Sequence, residues 1–235
     1  AHGWLRQKLP PRPAGRTYQS AAWLRSTLSI AVVDGLRVVQ GQAGLLTLGF
    51  FASLEEAGLY RVGLAVALLI SPPITLFEVI VTPKFARLYA ELNTRELMRV
   101  SMKSTLASLS AVLVLSSVVY IGGSYILAVA FGDAFSAAYV PLVILCIGQT
   151  FVAAFGFNAV LLMMTGEERV LVTSVAVGLF VNVALLAMLV PAWGAIGAAW
   201  AHVGYVISWG LCAWVATKQR LRLDTSVIAF VSRAA

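Results

Sequence analysis

Hydrophobic positions in this chain fall in long unbroken runs, separated by short charged or proline- and glycine-bearing breaks. The runs are apolar on every face and longer than the ~20 residues needed to cross a bilayer, so they read as transmembrane helices. A membrane barrel would instead show ~10-residue segments of alternating polarity. Arg25 to Glu55 encloses a first span at about 27–52, and Arg61 to Lys84 a second at 61–83. The third (104–131) lies between Lys103 and Asp133, and the fourth (141–164) starts at Pro141 and ends before Glu167. Arg169 to Lys218 then encloses 48 residues without a charge. That is roughly 72 Å of helix against a ~30 Å hydrocarbon core. The run must fold back once, and VPAWGAIG (190–197) supplies the proline and glycines, giving spans at 170–190 and 195–217. The expected fold is all-α, a polytopic bundle of six transmembrane helices over 26–217. A basic connector (1–25) precedes it and a tail (218–235) follows.

Composition agrees: 60% of the 235 residues are hydrophobic and 11% charged, with a mean hydropathy of +0.89. Soluble domains carry about 25% charged residues. The net charge of +7 reads as topology because of where it falls. With the N-terminus in the cytoplasm, the inner segments hold fifteen of the seventeen Lys and Arg. The outer loops hold Glu55, Glu56 and Asp133, as the positive-inside rule demands. Both termini are therefore expected in the cytoplasm. No basic stripe is interleaved with exposed aromatics, so nucleic acid is not an expected partner. Cys146 and Cys212 lie in apolar runs and read as small hydrophobic side chains. The first 25 residues lack the apolar core of a signal peptide, and a start at Ala1 reads as a piece of something longer.

Two inner segments carry local signals. KFARLYAELNTRELMRVSMK (84–103) mixes apolar and basic residues, with Asn93 and Glu96 at capping distance. It is expected to form two short helices on the anionic inner leaflet, or else a solvated connector. Thr165-Gly166-Glu167-Glu168-Arg169 reads as a tight turn, with Gly stopping one helix and Glu favoured at the start of the next.

FGDAFSAAYVPLVILCIGQTF, NAVLLMMTGEERVLV and LVPAWGAIGAAWA, with GFFASLEEAGLYRVGLAVALL and PKFARLYAELNTRELMRV upstream, follow one another in a set order. In this the chain resembles, over about 26–226, the C-terminal half of bacterial polysaccharide flippases of the MATE-like superfamily. The resemblance implies two six-helix lobes around a central cavity, of which this chain supplies one and an N-terminal lobe the other. It implies a site in the bacterial inner membrane and alternating access for an undecaprenyl-pyrophosphate-linked oligosaccharide moved from inner to outer leaflet. GQAGLLTLGFF departs from the family pattern, having Gly and Ala where an acid often stands. The rival readings are a drug or cation antiporter of the same superfamily and a half-length membrane scaffold that transports nothing.

Ionisable groups inside a membrane are costly and are the first candidates. Asp34 and Arg37 read either as cavity residues, with Arg37 offering paired donors to a pyrophosphate, or as an internal ion pair. Glu78 reads as a proton-coupling carboxylate or as a group reaching the interface. Gln149, Asn158 and Asn182 read as interhelical hydrogen-bonding groups or substrate contacts. Pro72 and Pro73 predict a bend and a candidate hinge within the second span. His202, beside the small residues Gly197, Ala198 and Ala199, reads as structural. No phosphate-binding loop, metal-ligand spacing or nucleophile beside a base is present, so neither an enzyme nor a cofactor is expected.

Overall fold

The structure, a computed structural model, describes residues 20–221. Residues 1–19 of the expected connector and 222–235 of the tail lie outside the described residues. Every described element is helical: α1 (Ser20–Phe51), α2 (Leu54–Leu68), α3 (Pro72–Ala90), α4 (Thr94–Phe131), α5 (Tyr139–Phe155), α6 (Asn158–Met164) and α7 (Glu168–Ala216). A 3₁₀ turn (Asp133–Ala138) precedes α5 and a π turn (Thr217–Leu221) follows α7. By length and composition three of these segments are able to cross a membrane: α4, the stretch Asp133–Phe155, and α7 with its extension to Arg220. The bent pair α2–α3 makes a fourth. α1 is not among them, because Asp34, Arg37, Gln40 and Gln42 interrupt its apolar run.

The second predicted span is two helices meeting at 44°. Pro72 and Pro73 do not kink a helix interior; they occupy the first turn of α3, where a missing N–H costs nothing. The bend lies just upstream, at Leu69–Ser71, where Ser71 Oγ donates to the Leu68 carbonyl at 2.7 Å. The third helix is longer than expected. α4 has 38 residues, about 57 Å at helical rise, and runs from the capping Asn93 without interruption. Asn93 Oδ1 accepts from Glu96 N–H at 3.1 Å, as the spacing predicted. The segment 84–103 is thus not two surface helices. It is the end of α3 and the start of α4, joined at Glu91–Asn93 with Leu92 at φ 55°.

α7 folds back on itself where the sequence requires. Gly194 leaves helical geometry (φ 50°, ψ −128°) and the two arms run antiparallel. Asn182 Nδ2 donates to the Ala201 carbonyl at 3.0 Å, across the arms. Small residues bring the backbones together: a Cβ on Gly178 would lie 2.9 Å from that of Trp209, and one on Gly204 would strike Leu185. Asn182 is therefore a staple of this hairpin. At the reversal, the Ala195 N–H that opens the second arm donates to Glu56 Oε2 at 2.7 Å. Glu56 read as an ordinary loop charge in the sequence, yet it caps a helix 139 residues away. At the other end of the hairpin Arg220 holds Glu167 at 2.8 Å, beside the turn at Gly166 (φ 77°).

The main core lies between α2, α5 and the α7 hairpin, around Leu64, Leu142, Leu145 and Leu186. A second cluster joins α3, α4 and α6 through Phe85, Leu97 and Phe157. A third joins α1, α6 and α7 through Val33, Leu162 and Val175.

Glu56→Ala removes the cap of the second arm and is expected to cost about 1 kcal/mol, read as a fall in thermal unfolding temperature in detergent. Gly194→Ala forces a side chain into a conformation only glycine adopts readily and is expected to cost about 1–3 kcal/mol. Gly58→Ala, with open space around its Cβ, serves as the control and should not destabilise.

Candidate functional site

A cavity of roughly 330 Å³ lies where α1, α3, α5, α6 and the second arm of α7 converge. Each helix contributes one face. α1 brings Arg37 and Gln40, three residues apart; α3 brings Ile74 and Glu78, four apart; α5 brings Gln149 and Val152. The second arm of α7 brings His202, Tyr205, Val206 and Trp209, the i, i+3, i+4, i+7 stripe of a single helix face.

The floor is the break between α5 and α6. The fourth predicted span does not run through; it stops at Phe155 and resumes at Asn158. Gly156 takes φ 68°, and a Cβ there would sit 2.5 Å from Thr105 Oγ1 of α4. Only glycine meets both conditions. The break frees backbone carbonyls, and the Asn158 side chain recovers one by donating to Phe155 O. Irregular backbone among apolar helices is tolerated where protein buries it or where it lines a cavity. Gly156 and Phe157 line this one.

Two contacts order the polar lining. The Arg37 guanidinium carbon lies 5.8 Å from the Trp209 ring centroid, a cation–π distance. Gln40 Nε2 lies 3.0 Å from His202 Nδ1. With the amide as donor, that ring nitrogen accepts and the proton of neutral His202 sits on Nε2. His202, Tyr205 and Trp209 form a ladder of rings with centroids 6.3 and 6.5 Å apart. The cavity thus joins one guanidinium, one carboxylate, two amides, an imidazole and the rings of Phe157, Tyr205 and Trp209. These groups can hold a ligand through many moderate hydrogen bonds and through stacking.

The sequence-based candidates separate clearly. Arg37, Glu78 and Gln149 line the cavity. Asp34 does not, and among the described residues it makes no ion pair with Arg37; the internal-pair reading is set aside. Asn158 sits behind the wall, supporting the helix break, and Asn182 lies within the α7 hairpin. Pro72 and Pro73 act through α3, whose start they fix, and are not themselves lining residues. Gln40, Tyr205 and Trp209 were not anticipated, and His202 was read as structural. The usable signal was the spacing of His202, Tyr205 and Trp209 on one helix face. Among the described residues no three His, Cys, Asp or Glu groups converge as metal ligands.

A water-filled cavity and a lipid-facing surface are separable by reactivity. In a background where Cys146 and Cys212 are replaced, Gln40→Cys, Glu78→Cys and His202→Cys are expected to react with a water-soluble maleimide. Ile121→Cys and Phe180→Cys, on exposed apolar surface, should react at least about tenfold more slowly, since thiolate formation needs water. Labelling at the three cavity positions as slow as at these two would mean that the cavity is dry. Comparison of the chain with protein-family models, with curated proteins and with solved structures found no match.

Proposed function

We propose that this chain is one six-crossing lobe of a bacterial inner-membrane flippase for a polyprenyl-pyrophosphate-linked oligosaccharide, with both termini cytoplasmic. Taking α2–α3 as one bent crossing, α5–α6 as one broken crossing, and the arms of α7 separately gives six passes with α1 and α4. The basic segments then share one side. On this reading a second lobe completes the cavity, and rocking of the two lobes exposes it to each leaflet in turn.

The observation that carries the proposal is the lining itself. Amides, an imidazole and the Tyr205 and Trp209 rings suit a hydroxyl-rich glycan, which offers many weak hydrogen bonds and apolar ring faces. Arg37 supplies the one permanent cation, with paired donors that match a phosphate. The antiporter reading draws on Glu78, the one carboxylate in the lining. Arg37 in the same space weighs against a cationic cargo, because like charges repel most where the dielectric is low.

Binding to the purified chain tests this, followed through tryptophan fluorescence. A short-chain polyprenyl-pyrophosphate oligosaccharide should bind, and Arg37→Gln should weaken it at least about tenfold, the usual loss for a charge-assisted hydrogen bond. Asp34→Asn, outside the cavity, should leave binding unchanged. A lipophilic cation that binds in its place, with an affinity lost in Glu78→Gln, would make the antiporter the better reading.

A further inference from the structure

We propose that the groove between α3 and α4, at the charged end of these helices, seats the phosphate headgroup of an anionic phospholipid. The groove holds roughly 480 Å³ and is lined by Pro83, Lys84, Arg87, Leu88, Glu96 and Val100. It lies apart from the cavity above and shares no lining residue with it.

Position comes first. Lys84 is the first cation after the long apolar stretch that Arg61 opens, so the groove sits where α3 leaves hydrocarbon. Its walls are mixed accordingly. Pro83, Leu88 and Val100 offer apolar surface for the start of acyl chains, while Lys84 and Arg87 stand one turn apart at the rim.

The charges then select the ligand. Glu96 is engaged by Arg99 at 3.0 Å, which mutes its repulsion of an anion. Arg87 uses its Nε for Glu91 at 3.0 Å, leaving its terminal nitrogens for another acceptor. Lys84 makes no ion pair among the described residues. The rim is a weakly positive seat with one carboxylate close by. That suits a singly charged phosphodiester better than a doubly charged free phosphate. The apolar walls favour a phosphodiester that carries acyl chains.

Native mass spectrometry of the full chain in detergent tests the assignment, with phosphatidylglycerol and phosphatidylcholine of identical acyl chains as probes. The chain should retain phosphatidylglycerol about tenfold better, and Lys84→Gln/Arg87→Gln should abolish most of that preference, since each basic residue near a membrane surface contributes about fivefold. Arg95→Gln/Lys103→Gln removes the same charge outside the groove and should leave the preference intact. If both double variants lose it equally, the attraction is diffuse and the groove is not a site. Displacement of the lipid by millimolar inorganic phosphate would overturn the lipid assignment in favour of a free-phosphate site. Should the double variant fail to purify, Lys84→Gln alone carries the same test, with an expected loss of about fivefold.

Discussion

A backbone polar group in hydrocarbon has no water to turn to, and this constraint governs where the chain bends. At each interior break the structure shows a side chain in the role of the missing helical partner. Ser71 donates to the Leu68 carbonyl where α2 gives way to α3. Asn158 returns to the carbonyl of Phe155. Glu56 crosses from another helix to receive the N–H of Ala195. Ser71 and Asn158 favour caps and turns over helix interiors, and Glu56 lies in the first turn of α2, so each stands where a helix stops or restarts.

The cavity is a product of those bends. The turn at Leu69–Ser71 sets the direction of α3 and thereby the approach of Glu78. The break at Gly156 opens the floor, and the reversal at Gly194 returns the second arm of α7 so that His202 and Trp209 face Arg37 and Gln40. Residues far apart in the chain meet because three short irregular segments are individually satisfied. The contacts within the lining, Gln40 to His202 and Arg37 over Trp209, then link α1 to α7 at the same level.

Helical character and the α7 reversal were legible in the sequence because they follow from length: an uncharged run too long for one crossing must turn, and 190–197 holds the run's one proline together with two glycines. The Thr165–Arg169 turn and the Asn93 cap were legible from local chemistry. The break at Gly156 was not. A lone glycine in an apolar run carries no mark of its backbone angle, and the Thr105 contact that requires it comes from another helix. Site residues divide along the same line. Arg37 and Glu78 stand out because charge in an apolar run is conspicuous. His202, Tyr205 and Trp209 blend into a membrane helix, where aromatic residues and a small-residue seam have ordinary uses. Glu56 was invisible in its role, since its partner is a main-chain amide that no side-chain pattern announces.

The polarity of α1 bears on how such a chain is made. On insertion scales a central Asp or Arg opposes entry by about 2.5–3.5 kcal/mol each, and α1 carries one of each with two glutamines in its middle turns. Its favourable surroundings, the Trp209 ring above Arg37 and the His202 ring beside Gln40, belong to a helix synthesised more than 150 residues later. α1 therefore gains these partners only once the second arm of α7 has been made. Loss of that arm would be felt first at α1, the described helix most distant from it in sequence.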